Sequence, residues 1–309
     1  MGVYLSSWRN RKANIGAGRF PDENYAREIM QLFSVGLYLM EQDGRFKTDD
    51  QGALIPTYDI EGIKELARVF TGLLSRTNST GFTGRRNYTE PMVMYFQEHD
   101  NNKNYAEDPN NPGQPDPNAP ESKTIFGVTL SPLPAQLTNA AAMAEINEAL
   151  DVIANHENVA PFICRLMIQR MVKSNPSRAY IRRVTRKFRD NGQGVRGDMG
   201  AVVKAILLDP EVYRSQRLLR RRNPNRVEVV TRGTEDSRLR EPILRITSWI
   251  RAMRPTSDWP KNDPVTGEPY MMLDASRQGD FGQMPFRAPS VFNFYLPNYQ
   301  PPTLVGVPP

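Results

Sequence analysis

Cysteine and histidine are scarce in this sequence. Its 309 residues include one cysteine, Cys164, and two histidines, His99 and His156. A single cysteine excludes an internal disulfide and every zinc motif that is built on a cysteine pair. The two histidines stand too far apart for a His-Glu-x-x-His metalloprotease motif. Cys164 lies in an apolar segment, so we expect its thiol to be buried and inert.

Long hydrophobic runs and several familiar catalytic motifs are also missing. No stretch approaches the roughly 20 apolar residues that a membrane-spanning helix needs. The residues after Met1 lack the basic start and the apolar run of a signal peptide. The glycine patterns of phosphate-binding and dinucleotide-binding loops are absent, as is the Gly-x-Ser-x-Gly elbow of hydrolases. No complete motif therefore requires a cofactor, and the cofactor stays unassigned.

Positive charge is unevenly distributed along the chain. The net charge is +6, and residues 214–240 contain nine arginines against three acidic residues. This Arg-rich loop is predicted to be solvated or to face a partner, and its candidate partners are a protein or an anionic polymer. No aromatic residue follows Tyr213 within it, which disfavours nucleic acid because a stacking platform is missing. The candidate binding residues come from this loop and from the aromatic carboxy-terminal segment: Arg220, Arg221, Arg222, Arg287 and Tyr295.

The pattern of residues 22–36 predicts the helix around which the chain is organised. Its apolar stripe consists of residues at helical spacing: Tyr25, Ile29, Leu32, Phe33 and Gly36. Asp22 is the predicted N-cap. Arg27 and Glu28 fall on the flanks of the stripe. Two interpretations stay open for these two residues: an ion-pair or capping network that ties the helix to its neighbours, or the lining of a functional pocket.

The remaining periodicity predicts an all-α fold. Further helices are predicted over residues 59–72, 139–154, 158–172, 177–190, 199–209 and 242–255. Residues 92–96 predict a strand or a buried extended segment, and 123–130 predict a short extended segment. Residues 100–122 are rich in Asn, Asp and Pro, which predicts a loop or an insertion. We therefore expect one multi-helix, bundle-like domain over residues 1–309, with long irregular loops and an extended carboxy-terminal strap rich in proline and aromatic residues.

His99 is the better histidine for chemistry. Imidazole titrates near physiological pH, and Asp100 follows directly, so His99 suits a general base or a metal ligand that a carboxylate orients. A structural, hydrogen-bonding histidine is the alternative. His99 and Asp100 are the candidate metal ligands, with Glu28 as a further oxygen ligand, and the metal itself stays unassigned. His156 lies between two predicted helices and is more typical of a cap or loop residue.

Several motifs resemble those of a known bacterial family. The segment Asp22-Glu23-Asn24-Tyr25-Ala26-Arg27-Glu28 is similar to the Asn-Glu-Asn-Tyr/Phe-Ala-Arg-Glu motif of the family called domain of unknown function 1800, with Asp22 where Asn is usual. The resemblance continues at 65–72, His99-Asp100, 123–127, 197–210, Arg240-Glu241-Pro242 and 286–295. The family carries no established activity. Its members usually begin with an export signal and a further helical segment, so the resemblance implies an exported protein of which this chain is the carboxy-terminal portion.

Two functions follow from these observations. We expect a secreted or periplasmic binding or structural component of the periplasm or cell surface, because long loops and an Arg-rich segment accompany the lack of a complete catalytic motif. The alternative is a hydrolase, metal-assisted or not, that acts on a polymeric substrate. Its catalytic residues would be those of one cleft: His99, Asp100, Glu28, Arg27 and Lys123. Whether the protein is an enzyme stays open at this point.

Overall fold

A computed structural model describes residues 5–76, 90–101, 108–116, 118, 122–214, 242–253, 261–262, 267 and 269–270 of the chain. The described helices are α1 (Asn24–Glu28), α2 (Ile60–Val69), α3 (Asn139–Asn155), α4 (Val159–Met171), α5 (Arg178–Arg189), α6 (Met199–Leu207), α7 (Pro210–Arg214) and α8 (Pro242–Met253). The described strands are β1 (Leu73–Ser75), β2 (Met92–Met94), β3 (Thr124–Ile125), β4 (Val128–Thr129), β5 (Lys261–Asn262) and β6 (Pro269–Tyr270).

The prediction of an all-α fold is wrong, because the chain is mixed α/β. Three two-stranded antiparallel sheets, β1-β2, β3-β4 and β5-β6, accompany the helices of the described residues. Leu73 pairs with Met94 in the first sheet, so the apolar run at 92–96 does contain a strand. Strands of two or three residues are too short to show the alternation of apolar and polar residues by which a strand is predicted. The helices, which are longer, were therefore the elements that the sequence pattern predicted.

The first predicted helix changes its period midway. After α1, residues Ile29–Ser34 continue as a π-helix, in which the Val35 amide donates to the Met30 carbonyl at 3.0 Å. The fully buried side chains of this segment are Ala26, Met30 and Val35, at spacings of four and then five residues. The predicted stripe assumed a constant helical period. It is therefore wrong for Phe33, which is 49% exposed.

The helices predicted over residues 59–72 and 139–154 each begin at a side-chain cap. The Asp59 carboxylate accepts a hydrogen bond from the Gly62 amide at 2.8 Å, and the Thr138 hydroxyl accepts one from the Ala141 amide at 3.2 Å. Helix α2 packs against β3 and α3. The inner face of α2 includes Leu66, which is fully buried. These two capped helices, α2 and α3, pack against each other and carry residues of the candidate site.

Asn158 lies at the start of the helix predicted over residues 158–172, and its side chain binds a loop that is distant in sequence. Its amide nitrogen donates to the carbonyl oxygens of Val35 and Tyr38 at 2.6 and 3.0 Å, and its amide oxygen accepts from the Met40 amide at 2.6 Å. Asn158 is fully buried, so no water competes for these groups. A single carboxamide thus fixes the chain that follows the π-helix.

Cys164 is buried, as predicted, and is expected to be unreactive in the folded protein. Burial raises the pKa of its thiol from 9.0 to about 12, because the thiolate would be desolvated. Because the pKa rises from 9.0 to about 12, the thiolate fraction at pH 8 should fall about a thousandfold. We expect no alkylation by iodoacetamide at pH 8 in native buffer and complete alkylation in urea. Rapid labelling of the native protein would show that the buried environment of Cys164 is wrong.

The chain divides into two units. The first consists of Met1–Leu166 and Arg178–Ala205, and the second of Met167–Ser177 and Ile206–Pro309. Within the second unit, the Glu211 carboxylate accepts hydrogen bonds from the Lys173 ammonium at 3.3 Å and from the Ser177 amide at 3.0 Å. The single-domain prediction stays a prediction. None of the helices in the described ranges is long and apolar enough to cross a membrane.

Candidate functional site

Charged side chains from four segments meet in the interior of the first unit. Helix α2 supplies Arg68, the turn after β2 supplies His99 and Asp100, the residue before β3 is Lys123, and α3 supplies Glu145. Each of the five is at most 3% exposed. With two neighbours they form the buried charge cluster: Glu65, Arg68, Thr71, His99, Asp100, Lys123 and Glu145. Groups of both signs are therefore removed from water together.

Glu145 lies at the centre of the cluster. The Lys123 ammonium donates to its two carboxylate oxygens, Oε1 and Oε2, at 2.9 and 2.8 Å, and to the Asp100 backbone carbonyl at 2.8 Å. These three acceptors use all three N–H bonds of the ammonium group. Oε2 of Glu145 also lies 2.9 Å from Nε2 of His99. The carboxylate that contacts the imidazole is thus that of Glu145, and not that of the neighbouring Asp100 as the sequence suggested.

The surroundings of His99 place a proton on each side of its ring. Nδ1 lies 3.0 Å from the Thr71 carbonyl oxygen, which can only accept, so Nδ1 carries a proton. Nε2 lies 2.9 Å from a Glu145 carboxylate oxygen, and that contact also requires a proton between the two atoms. Both ring nitrogens are thus engaged by groups inside the protein. His99 therefore acts here as a buried donor and not as a free base.

The other half of the cluster is an arginine fork. Nε and Nη2 of Arg68 donate to Oδ1 of Asp100 at 3.3 and 3.2 Å, and Nη1 donates to Glu65 at 2.6 Å. The Thr71 hydroxyl donates to the Arg68 carbonyl at 2.7 Å and accepts from the Asp100 amide at 2.8 Å. Asp100 is thus held by both its side chain and its backbone. This network fixes the turn that carries His99 against the end of α2.

The cluster combines groups of opposite charge. It contains two basic side chains, Arg68 and Lys123, three carboxylates, those of Glu65, Asp100 and Glu145, and the imidazole of His99. Burial lowers the pKa of Lys123, and the carboxylates of Glu145 and Asp100 oppose that shift. A buried ammonium is tolerated only because its counter-ion, the Glu145 carboxylate, stands at hydrogen-bond distance. The removal of one charged side chain from the cluster would leave the charge of its partner buried without compensation.

Gly72 allows the backbone to approach His99. Its φ angle is +82°, and a Cβ atom there would lie 2.9 Å from the Tyr95 carbonyl oxygen and 3.0 Å from the His99 amide nitrogen. The Tyr95 amide donates to the Gly72 carbonyl at 2.8 Å. A glycine is therefore required where α2 gives way to β1. The position of the imidazole depends on this close contact.

The cluster offers no open position for a metal or a substrate. Its polar side-chain atoms have partners, and its members are buried except for Glu65, whose side chain is 18% exposed. Among the residues that the structure describes, no group of three or more His, Cys, Asp and Glu side chains is arranged to hold a metal. The ring nitrogens of His99 face Thr71 and Glu145, whereas the carboxylate of Asp100 faces Arg68. The metal hypothesis for His99 and Asp100 gains no geometric support.

The structure brings together three of the five residues predicted to share a cleft. His99, Asp100 and Lys123 belong to the cluster. Arg27 instead pairs with Glu23 at 3.0 Å on the surface of α1. Glu28 is 7% exposed, and its Oε2 has no hydrogen-bond partner among the described residues. Burial raises the pKa of Glu28, and Arg27 opposes that shift. Neither of these two residues binds a member of the cluster.

The sequence interpretation missed Arg68 and Glu145, which complete the cluster. Both lie on helix faces that are otherwise apolar: Arg68 follows Leu66 and Ala67, and Glu145 precedes Ile146. A charged residue at a core-facing position must find a partner, and that conflict was the available signal. The candidate binding residues Arg220, Arg221, Arg222, Arg287 and Tyr295, with most of the Arg-rich loop, lie outside the described residues.

His156 is the loop residue that the sequence predicted. It is the C-cap of α3, and its Nδ1 accepts a hydrogen bond from the Asn158 amide at 3.2 Å. Its ring lies 4.5 Å from that of Phe126. Burial lowers the pKa of His156, because the charged form would lose solvent. This histidine is therefore suited to holding the α3–α4 junction in its neutral form.

A cleft of about 400 Å³ opens near the amino-terminal end of the described chain. Arginines dominate its lining, with two aromatic side chains and one carboxylate: Trp8, Arg9, Arg11, Arg19, Phe20 and Asp22. Asn10 also lines it, and its side chain binds the Asp22 backbone through both amide groups, at 2.8 and 3.1 Å. The cleft is thus attached to the start of α1. Unlike the cluster, it is accessible to solutes.

A family model described as "Protein of unknown function (DUF1800)" matches residues 1–306. The chain belongs to this family. Three of the motifs by which the sequence resembles it, at 65–72, 99–100 and 123–127, supply every member of the buried charge cluster except Glu145. These three motifs thus meet in the interior and not at an open surface. No curated protein and no solved structure matches the chain.

Proposed function

We propose that this DUF1800 protein is a non-catalytic binding component of the periplasm or cell surface, which holds an anionic polymer such as an acidic polysaccharide. The observation that carries the proposal is the exposed face of α5. Export is part of the proposal because the family resemblance implies it. The closed cluster supports a structural role for the residues that otherwise suggested hydrolysis.

Helix α5 separates its side chains into an apolar half and a basic half. The buried half consists of Tyr180, Ile181, Val184, Thr185 and Phe188. Apart from Ala179, the exposed residues of the helix are all cationic: Arg178, Arg182, Arg183, Arg186, Lys187 and Arg189. The helix contains no acidic residue and extends for about 18 Å at 1.5 Å per residue. It therefore presents a rod of positive charge that is fixed to the core along its other side.

Nearby carboxylates reduce this charge only in part. Asp43 accepts hydrogen bonds from Arg45 at 3.1 Å and from Arg182 at 3.2 Å. Asp190 follows the helix, and backbone amides, with a smaller contribution from Lys187, hold the pKa of its carboxyl below the usual value. Across the described ranges, Arg178, Arg186 and Arg189 take part in no ion pair. These three guanidinium groups are available to a polyanion.

The hydrolase alternative receives less support from the geometry. It requires His99, Asp100, Lys123, Glu28 and Arg27 around one accessible cleft. His99 and Lys123 are instead fully buried and bound to Glu145. A general base must reach the proton that it removes, and this imidazole has both nitrogens engaged. The arrangement favours binding at a surface over catalysis in the interior.

The proposal is tested by titrating the full chain with fluorescently labelled polygalacturonate at low and at high salt. We expect saturable binding that weakens as salt rises, because the contacts are ionic. The variant Arg186→Gln, Arg189→Gln should bind about tenfold more weakly at low salt. The control is Arg245→Gln, Arg251→Gln, which removes two exposed arginines from α8 with the same change in charge.

Three results would contradict the proposal. The control pair could weaken binding as much as the α5 pair, which would mean that net charge and not this face is responsible. Dextran, a neutral polymer, could bind as well as polygalacturonate. A short DNA duplex could bind more tightly than the polysaccharide, which would assign the α5 face to nucleic acid instead.

A further inference from the structure

We infer that the amino-terminal cleft is a second, independent binding site, which takes a small ring-shaped ligand carrying one anionic group, such as a sugar acid or a sugar phosphate. The cleft is formed by a different segment from α5, and the inference does not depend on the proposed function. Its support comes from the charge of its lining, the conformation of its backbone and the way that backbone is anchored.

The charge of the lining selects an anion. The lining residues carry three guanidinium groups, those of Arg9, Arg11 and Arg19, and one carboxylate, that of Asp22. Arg11 lies 3.9 Å from Glu98, and Asp22 already accepts a hydrogen bond from the Asn24 amide at 2.8 Å. The cleft therefore keeps a positive balance. Guanidinium groups bind carboxylates and phosphates through paired donors.

The backbone of the cleft is held in an unfavourable conformation. Ser6 and Arg9 have φ angles of +63° and +64°, in the left-handed region that non-glycine residues seldom adopt. Both line the cleft, and they are two of the three such residues in the described part of the chain. Unfavourable backbone of this kind clusters at ligand-binding sites.

Hydrogen bonds to the core keep this loop in place. The Arg9 amide donates to the Leu73 carbonyl at 2.9 Å, the Gly72 amide donates to the Asn10 carbonyl at 2.8 Å, and the Lys12 amide donates to the Glu98 carbonyl at 2.9 Å. The loop is thus fixed to β1 and to the turn before His99. A ligand would meet a preformed site, which reduces the ordering cost of binding.

The aromatic side chains indicate a ring. Phe20 is 59% exposed, and Trp8 is half-buried with the Arg9 guanidinium 5.3 Å from its ring centre. An exposed phenylalanine beside an arginine cluster offers an apolar face to a planar or sugar ring while the cations hold its anionic group. A volume of about 400 Å³ has room for one such ring. The combined requirement is a ring that bears a carboxylate or a phosphate.

The inference is tested by calorimetric titration of the full chain with glucuronate, glucose 6-phosphate, inorganic phosphate and glucose. We expect at least one of the two ring anions to bind, and glucose and inorganic phosphate to bind at least tenfold more weakly. Tighter binding of glucuronate would identify the anion as a carboxylate, and tighter binding of glucose 6-phosphate would identify it as a phosphate. Equal binding of inorganic phosphate, or no binding of either ring anion, would overturn the inference.

Two variants and a matched control assign the binding to the cleft. Arg19→Gln should weaken the ring anion about tenfold through a lost charged hydrogen bond. Phe20→Ala removes an exposed ring, so the protein should remain folded while the affinity for the ring anion falls. Lys12→Gln changes the same charge in the same loop but outside the lining, and it should leave the affinity unchanged. An equal loss in Lys12→Gln, or no loss in the other two, would contradict the assignment.

The same titrations keep the two proposals separate. The Arg186→Gln, Arg189→Gln variant should bind the ring anion as the unaltered chain does. A loss of small-ligand binding in this variant would show that the cleft is not an independent site.

Discussion

Replacement of Lys123 by methionine is expected to lower the free energy of unfolding by about 3–5 kcal/mol, because it leaves the buried Glu145 carboxylate without its counter-ion. The substitution conserves length and removes only the ammonium group. It also leaves the Asp100 carbonyl, which lies 2.8 Å from Nζ, without its donor. Urea-induced unfolding measures the change. Lys64→Met is the matched control, since that lysine pairs with Glu61 on the surface, and its stability should not change measurably.

A double variant separates the lost charge pair from a general effect of the substitution. Glu145→Gln keeps an oxygen that can accept from Nε2 of His99 but removes the negative charge. Lys123→Met together with Glu145→Gln should therefore cost less than the sum of the two single changes. Additive losses would show that the two side chains do not interact, which would contradict the geometry of the cluster.

Replacement of Gly72 by alanine is expected to cost about 3 kcal/mol of stability. Part of this cost comes from the φ angle of +82°, and the rest from a Cβ atom placed 2.9 Å from the Tyr95 carbonyl oxygen. Gly52 provides a matched control, since it has the same φ angle of +82° with no atom within 4 Å of a built Cβ. Gly52→Ala should cost only about 1–2 kcal/mol. Equal costs at the two positions would mean that the backbone contact at His99 is not tight.

The helices were predictable from sequence because periodicity and caps are local signals. Asp59 and Thr138 each precede an apolar repeat, and each caps the helix that follows. The π-helix was not predictable, because one extra residue per turn displaces Phe33 from the face where a regular helix would place it. The short strand β1 was also missed, since its pairing with β2 depends on residues that are distant in sequence.

Only part of the site was predictable, because its contacts join residues that are distant in sequence. His99, Asp100 and Lys123 could be selected as residues of interest from their chemistry and from the family motifs. Their partners could not, because Glu145 lies 46 positions after His99 and Arg68 lies 32 positions before Asp100. The sequence also gave no indication that these side chains would be sealed from solvent. That burial supports a structural role for these groups over a catalytic one.

The α5 face and the cleft are candidate binding surfaces because they are exposed to solvent. Solvent exposure is harder to predict from a sequence than helical periodicity is. The basic residues of α5 were visible in the sequence, but their complete segregation from Tyr180 and Val184 is a property of the folded helix. The cleft depends on the fold of residues 6–22, most of which precede the first predicted helix. The α5 face lies outside the sequence motifs, whereas the cleft includes only Asp22 from the motif at 22–28.

The most direct test of the account is a pair of measurements on His99→Gln: its stability in urea and its affinity for polygalacturonate under conditions in which it is folded. If the cluster is structural and α5 binds the polymer, the variant should lose about 2–3 kcal/mol of stability, through the broken contacts with Thr71 and Glu145, and keep its affinity within about twofold. Unchanged stability together with lost binding would contradict the account, because it would place His99 in the functional site itself.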